Sequence, residues 1–261
     1  MNRSPRTETI VHLGRHGDGV YESPEGPVYV RGALLGERVL VGPPAKDRKI
    51  LRASLHSVED AAATRRADAC LHLARCGGCP FGHMTRIAQS EVKKAWLLDA
   101  LRTQKVMACD IESVLPEPGD AYRTRARLLW RRGGLGYREP EGFEVVVPEH
   151  CGVLDARIEE SRLALASMRR DLKGEGEVRL SLTRFDGGEG VVAAFESREA
   201  QGEAFYKSIA TLIERGVLRG ATAQVGGSRV AAPYGDASER SLDFDGRSLE
   251  APVGRDRKSV V

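Results

Sequence analysis

Four of the five cysteines are spaced as metal ligands are: Cys70, five residues, Cys76, then Gly77-Gly78 and Cys79, with Cys151 far downstream. Three thiolates on one loop can converge on a single centre because the two glycines let the backbone wrap it closely, and the distant fourth can close the cage. Four thiolates suit either a tetrahedral zinc or an iron–sulfur cluster. Zinc sites usually pair two close Cys-x-x-Cys knuckles, whereas here three ligands lie together and one stands alone, which favours the cluster. The competing reading, a set of buried apolar cysteines, fits poorly with a Cys-Gly-Gly-Cys run in a chain otherwise poor in cysteine. Cys109 has no partner in spacing and reads as a packed structural residue.

A second constellation is basic. Arg123, Arg125 and Arg127 alternate with Thr124, Ala126 and Leu128, and Arg131 and Arg132 close the run. A strand sends alternate residues to one face, so these guanidinium groups would form a ladder about 6–7 Å apart, near the spacing of successive phosphates. No acid sits between Ala121 and Arg132. Salt bridges to acids elsewhere, such as Glu139 or Glu144, are the alternative; RNA contact is favoured because arginine forks suit phosphate oxygens and base faces.

The elements that would carry these residues read as follows. From Glu8 to Leu55 short β-rich runs (Ile10 to Leu13, Val28 to Val30, Arg38 to Val41, Ile50 to Leu55) are punctuated by glycines, a small-barrel pattern. Val58 to Ala69 lacks apolar periodicity and reads as a linker. Apolar residues at helical spacing predict a helix from about Thr85 to Thr103, and another is marked by Leu154 to Leu172. Tyr122 to Trp130 alternates like a strand, and Phe143 to Val147 is a second strand candidate. Val178 to Thr183 and Val191 to Phe195 look like a hairpin, and Phe205 to Ile213 like a third helix. The fold class expected is α+β.

Composition bounds the rest. With 40 basic and 37 acidic residues the net charge is only +3, so nucleic-acid contact must come from local clustering. No window approaches 18 consecutive apolar residues and no apolar leader opens the chain, so no membrane partner is expected. An odd cysteine count argues for ligation in a reducing compartment, hence a cytoplasmic protein.

The cysteine run followed by His83, Gln89 and Lys93, together with Tyr122-Arg123-x-Arg125 and Pro148-Glu149-His150-Cys151-Gly152-Val153-Leu154, resembles the cluster signature of the 23S ribosomal RNA (uracil-5-)-methyltransferases. Gly82 departs from it, where many members carry glutamine. The resemblance implies a 4Fe-4S cluster held by Cys70, Cys76, Cys79 and Cys151. Gly17-Asp18-Gly19-Val20 and Val28 to Val39 resemble a TRAM domain, the OB-like barrel of that family, which implies RNA binding. On the curved face of such a barrel, Tyr21, Tyr29, Arg31, Lys46, Arg48 and Lys49 are candidates for holding phosphates and bases.

The expected organisation is therefore an RNA-binding barrel at 1–57, a linker at 58–69, an α+β iron–sulfur central domain at 70–254, and a non-native tail at 255–261, whose last six residues match a translated sequencing adapter. C5 methylation of uracil needs a thiolate that adds to C6, a base for the C5 proton, and S-adenosylmethionine. None of these can be placed in this chain, and its glycine clusters read as turns. The Rossmann-like methyltransferase domain is expected to be absent, catalytic residues none, and this chain inactive alone, with S-adenosylmethionine belonging to a full-length parent. The partner expected is RNA, 23S ribosomal RNA by the resemblance, and the protein monomeric. The alternative is a stand-alone TRAM and iron–sulfur protein that binds RNA or senses redox state without methyl transfer.

Overall fold

The computed structural model describes residues 4–47, 49–67, 70–106, 111, 121–140, 142–185, 188–228, 230–244 and 247–252. The chain divides into two compact units, Met1–Glu117 and Pro118–Val261, so the cysteine loop and the helix after it fall in the first. Arg48 and Cys109 lie outside the described residues.

In the first unit short strands with alternating burial form two sheets around one core. The strands are β1 (Arg6–Thr9), β2 (His12–Leu13), β3 (Gly19–Ser23), β4 (Gly26–Val30), β5 (Arg38–Val41), β6 (Ala45–Asp47), β7 (Ile50–Ala53) and β8 (Leu55–Asp60). They pair in the orders β1-β5-β8 and β2-β3-β4-β7-β6. Ile10, Tyr21, Val28, Val30, Val39 and Val41 are buried in a single cluster drawn from both. At Gly19 a Cβ would lie 2.9 Å from Ala33 Cβ and Ile10 Cγ2, so the close approach there requires glycine.

The segment expected as a linker begins inside β8, where Val58 and Asp60 pair with Val39 and Arg38. Two register shifts in the β5–β8 ladder let Leu55 and Val58, three residues apart, both pack against the core. Such shifts break the period of two on which strands are recognised in sequence.

Thr85 caps the helix α1 (Arg86–Thr103) by accepting from the Ala88 N–H at 3.3 Å. None of its residues is buried, and Ile87 and Leu97 are exposed. It is tied to the preceding loop through the Trp96 and Phe81 rings, 5.6 Å apart, and through Gln89 Nε2, which donates to the Met84 carbonyl at 3.1 Å.

The second unit comprises β9 (Arg125–Arg131), β10 (Gly134–Arg138), β11 (Val145–Val146), α2 (Ala156–Ser167), β12 (Gly176–Phe185), β13 (Gly188–Ser197), α3 (Glu203–Glu214), β14 (Gly220–Gln224), β15 (Ala232–Gly235), β16 (Ser238–Phe244) and β17 (Arg247–Pro252). One sheet runs β11-β10-β9-β12-β13-β14-β15, with β16 pairing β12 and β17. Among the described strands of this unit only β13 and β14 pair in parallel, joined across α3. Leu128, Val178, Phe195 and Ala223 share one buried face through the cross-strand registers. The edge contact of Phe205 with Phe195, 5.2 Å between ring centres, lays α3 on that face. Gly176 lies beneath the Trp130 ring, where any Cβ would clash. No described helix is long and apolar enough to cross a membrane.

Candidate nucleic-acid interface and cysteine loops

The opposite face of the sheet is exposed along β9, whereas farther across it Val192, Ala194 and Thr222 are buried. Along β9, Ala126, Leu128 and Trp130 are buried while Arg125 and Arg127 are exposed and Arg131 is half-buried. The period of two therefore puts three arginines on one face, as their spacing requires. Arg123 falls outside the strand, in an isolated bridge to Leu154, with its guanidinium 5.7 Å from the Tyr122 ring centre. Arg132 occupies the turn into β10 at φ 49° and pairs with Glu144 at 3.1 Å.

The acids that meet this face come from a strand some fifty residues later. Arg127 pairs with Glu177 at 2.5 Å and Arg131 with Glu175 at 2.6 Å. Arg179, directly opposite Arg127, pairs with the same Glu177 at 2.7 Å. The ladder is thus interleaved with carboxylates. Together these strands floor a groove of about 570 Å³, at whose edge Phe143 is 67% exposed with Arg138 and Arg131 stacked over its ring at 4.8 and 5.5 Å. Sequence reasoning missed Arg138, Arg179 and Phe143. Alternation along Glu177 to Ser181 was a usable signal for Arg179; the register that sets it beside Arg127 was not.

The first-unit candidates do not form one patch. Lys46 in β6 and Lys49 in the following turn are exposed. Half-buried Tyr29 packs on Gly14. Tyr21 is buried in the core, with Arg6 stacked 5.6 Å over its ring. Arg31 turns to the cysteine loop, donating from Nη2 to the Cys76 carbonyl at 3.4 Å.

Cys70 is exposed and Cys76 and Cys79 are half-buried. Successive turns shape their loop: Cys76 N–H donates to the His72 carbonyl (2.7 Å), Gly82 N–H to the Cys79 carbonyl (3.1 Å), and Gly78 N–H to Cys76 Sγ (3.4 Å). The same unit holds a buried ion pair. Glu37, fully buried, accepts from Arg65 Nε and Nη2 at 2.6 and 2.7 Å and from the Leu34 and Ala62 N–H groups. Those bonds hold its carboxyl below the usual range even though burial alone would raise it. Buried His83 is pushed down to about 4 by desolvation and by the charge of Arg65.

Cys151 belongs to the second unit and has its own buried pair. Glu159 accepts the Cys151 N–H at 3.0 Å and binds Arg162 through two bonds of 2.7 Å. Arg162 also reaches the Glu149 carbonyl at 3.3 Å, and the Tyr137 hydroxyl lies 3.6 Å from Cys151 Sγ. Among the described residues no three His, Cys, Asp or Glu side chains gather in a way that could hold a metal ion. What fits a soft metal centre is the donor chemistry: thiols on glycine-bearing turns, with a backbone N–H already directed at one sulfur.

No protein-family model matches the chain. It is similar to the 23S rRNA (uracil(1939)-C(5))-methyltransferases RlmD of Aliivibrio salmonicida, 28% identical over 79% of this chain and 50% of the relative, and of Shewanella halifaxensis, 31% identical over 70% and 43%. The chain spans half or less of the length of these curated relatives. In structure it resembles the Pyrococcus abyssi tRNA (uracil-54, C5)-methyltransferase, solved with S-adenosyl-L-homocysteine, at a TM-score of 0.65 and 18% identity, covering 94% of this chain and 58% of that one.

This likeness corrects the expected fold class. The sequence reading expects a barrel and an α+β domain with the methyltransferase fold absent; instead almost the whole chain follows the fold of a uracil-C5 methyltransferase. That expectation rests on the lack of a glycine-rich strand–turn–helix motif, and the lack of a local motif does not determine the tertiary fold that the other residues build. Over most of its length, then, this chain is similar in sequence to 23S rRNA uracil-C5 methyltransferases and in fold to a tRNA uracil-C5 methyltransferase.

Proposed function

We propose that this chain acts in S-adenosylmethionine-dependent C5 methylation of a uridine in 23S ribosomal RNA, the counterpart of uracil 1939 in its relatives. The observation that carries this is sequence similarity to RlmD proteins along 70–79% of the chain, supported by the shared fold. S-adenosylmethionine supplies the methyl group when bound. The residues of this chain hold and orient the RNA. Arg125, Arg127 and Arg131 present donors on the exposed face of β9, with Arg123 and Arg132 at its ends, and Tyr29, Arg31, Lys46, Arg48 and Lys49 serve the first unit, read as a TRAM-like RNA-binding module. Electrostatic contacts of this kind position RNA without reading sequence.

Cys70, Cys76, Cys79 and Cys151 are proposed to hold a 4Fe-4S cluster, which would link segments distant in the chain and restrict its unfolded state. The support is the donor set, the bonds that shape the first loop, from Arg31 to the Cys76 carbonyl and from Gly78 N–H to Cys76 Sγ, and the bond from Cys151 N–H to the Glu159–Arg162 pair. The protein works in the cytoplasm as a monomer in this reading. Deleting the gene in its host tests the activity: one 5-methyluridine should vanish from 23S ribosomal RNA by nuclease digestion and mass spectrometry, and unchanged content would refute the assignment. Iron and sulfide assay of anaerobically purified protein tests the cluster separately.

A further inference from the structure

The groove over the exposed face of β9 carries a charge pattern that a phosphate track does not require. Five arginines line it, and so do three glutamates. Two of the acids are committed to holding arginines, Glu177 to Arg127 and Arg179, and Glu175 to Arg131. Glu196 differs. Its side chain is 62% exposed and its approach to Arg179 is 3.6 Å, too long for a hydrogen bond. It stands on β13 in register with Glu177 on β12 and Gln224 on β14, two strand spacings, or roughly 10 Å, from β9.

A carboxylate so placed repels phosphate and favours a ligand that brings hydrogen-bond donors into a positive groove. Among the four RNA bases only guanine offers two adjacent donors, N1–H and N2–H₂, to match the two oxygens of one carboxylate. The groove also supplies surfaces for stacking, since the guanidinium carbon of Arg138 lies over the exposed Phe143 ring, 4.8 Å from its centre, and unpaired bases stack on aromatic rings and on guanidinium groups. Its volume of about 570 Å³ suits a ligand of nucleotide size, within the roughly 300–1,000 Å³ of small-ligand sites.

We infer that this groove binds an unpaired guanosine of an RNA strand, with Glu196 accepting from the base edge, Phe143 and Arg138 stacking a neighbouring base, and exposed Arg127 and Arg198 facing the phosphates. The inference rests on the RNA-binding reading above and adds a base preference to it. A structureless stretch is required, because a paired guanine has its N1–H and N2–H₂ edge occupied by cytosine.

The test is fluorescence anisotropy of the full chain with labelled uridine heptamers carrying G, A, C or U at the centre, at one fixed salt concentration. The central-G strand should bind about tenfold tighter or more, the scale of one bidentate base contact. Glu196→Ala should bring it to the level of the others and leave the all-uridine affinity unchanged or slightly raised. Because Glu196 is exposed, this variant keeps its fold. Equal affinity for the four strands, or a guanine preference that survives Glu196→Ala, overturns the inference while leaving RNA binding intact. Binding to none of them removes the RNA-binding reading itself and this inference with it. As a second measurement, photocrosslinking from a central 6-thioguanosine should map to peptides containing Glu196 or Phe143; crosslinks confined to other regions also overturn it.

Discussion

Each unit holds a glutamate–arginine pair in its interior, and the two are built in different ways. In the first unit, Glu37 and Arg65 are separated by 28 residues. Beside Cys151, Glu159 and Arg162 are one helical turn apart on α2. The first carboxylate accepts two backbone N–H groups, from Leu34 and Ala62; the second accepts one, from Cys151 itself. The partners differ more. Arg65 keeps 21% of its side chain exposed, whereas Arg162 has none. A buried ion pair adds little net stability while intact, but breaking it strands whichever charge stays behind. The exposure of the surviving partner therefore sets the cost, and the sequence-local pair is the more fragile of the two.

Replacing Glu159 is the strongest way to break the comparison. Glu159→Gln leaves the Arg162 guanidinium uncompensated with no route to water, and should cost about 3–5 kcal/mol, measured by urea unfolding. Glu37→Gln should cost less, about 2–3 kcal/mol, because Arg65 can recover hydration while only the Leu34 and Ala62 N–H groups are left poorly served. Trp96 lies in the first unit and Trp130 in the second, and they are the two tryptophans of the chain. Substituting either with Phe lets fluorescence follow the other unit alone. If the Glu37 variant is destabilised more than the Glu159 variant, partner exposure is not the deciding factor.

Acid should separate the units next. His83 is buried at 3% exposure and faces Arg65, Arg31, Glu37 and Asp18. Its folded value near 4 lies below the ordinary 6.5, so between those limits the unfolded chain binds the proton and the folded chain does not. The stability contributed is complete above pH 6.5, falls as pH drops toward 4, and amounts to about 2 kcal/mol lost at pH 5. No other buried histidine occurs among the described residues, and His150 in the second unit is largely exposed. Urea curves followed at Trp96 should shift down between pH 7 and 5, those at Trp130 should hardly move, and His83→Gln should abolish the shift. The depressed carboxyls of Glu37 and Glu159 act lower still, destabilising both units as pH falls below about 4.5.

What could be read in the sequence follows from these contrasts. The helix opening at Thr85 was legible because helical spacing of apolar residues is a local pattern. Of the expected alternation of Arg123, Arg125 and Arg127, the last two share a face because a strand's faces are fixed by its own period, whereas Arg123 lies outside the strand. β8 was not legible, because two register shifts hide its period, and β10 was not, because two of its five residues, Gly134 and Gly136, carry no side chain to show a period. The neutralisation of the ladder was also out of reach. Glu175 and Glu177 lie near Arg131 and Arg127 only through the β9–β12 register, which no local pattern encodes. The buried Glu37–Arg65 pair belongs to the same class, whereas Glu159 and Arg162, three residues apart and followed by Leu165, could have been noticed as a charged pair set into an apolar helix face.

The smallest effect expected is on the ladder. Arg127 is 70% exposed and its bond to Glu177 is a surface ion pair, so Arg127→Ala should change stability by under about 1 kcal/mol. Its effect on RNA binding should be visible all the same. Removing one phosphate-binding cation lowers the steepness of affinity against salt by roughly 0.7 for a single strand, so Arg125→Ala and Arg127→Ala together should flatten the slope by about 1.4, with affinity for all sequences falling in parallel. Glu177→Gln should do the reverse, releasing Arg127 and Arg179 toward phosphate and tightening binding at low salt. If Glu177→Gln weakens binding instead, the carboxylate is needed to hold the two arginines in line, and the interleaved acids are a scaffold for the ladder rather than a brake on it.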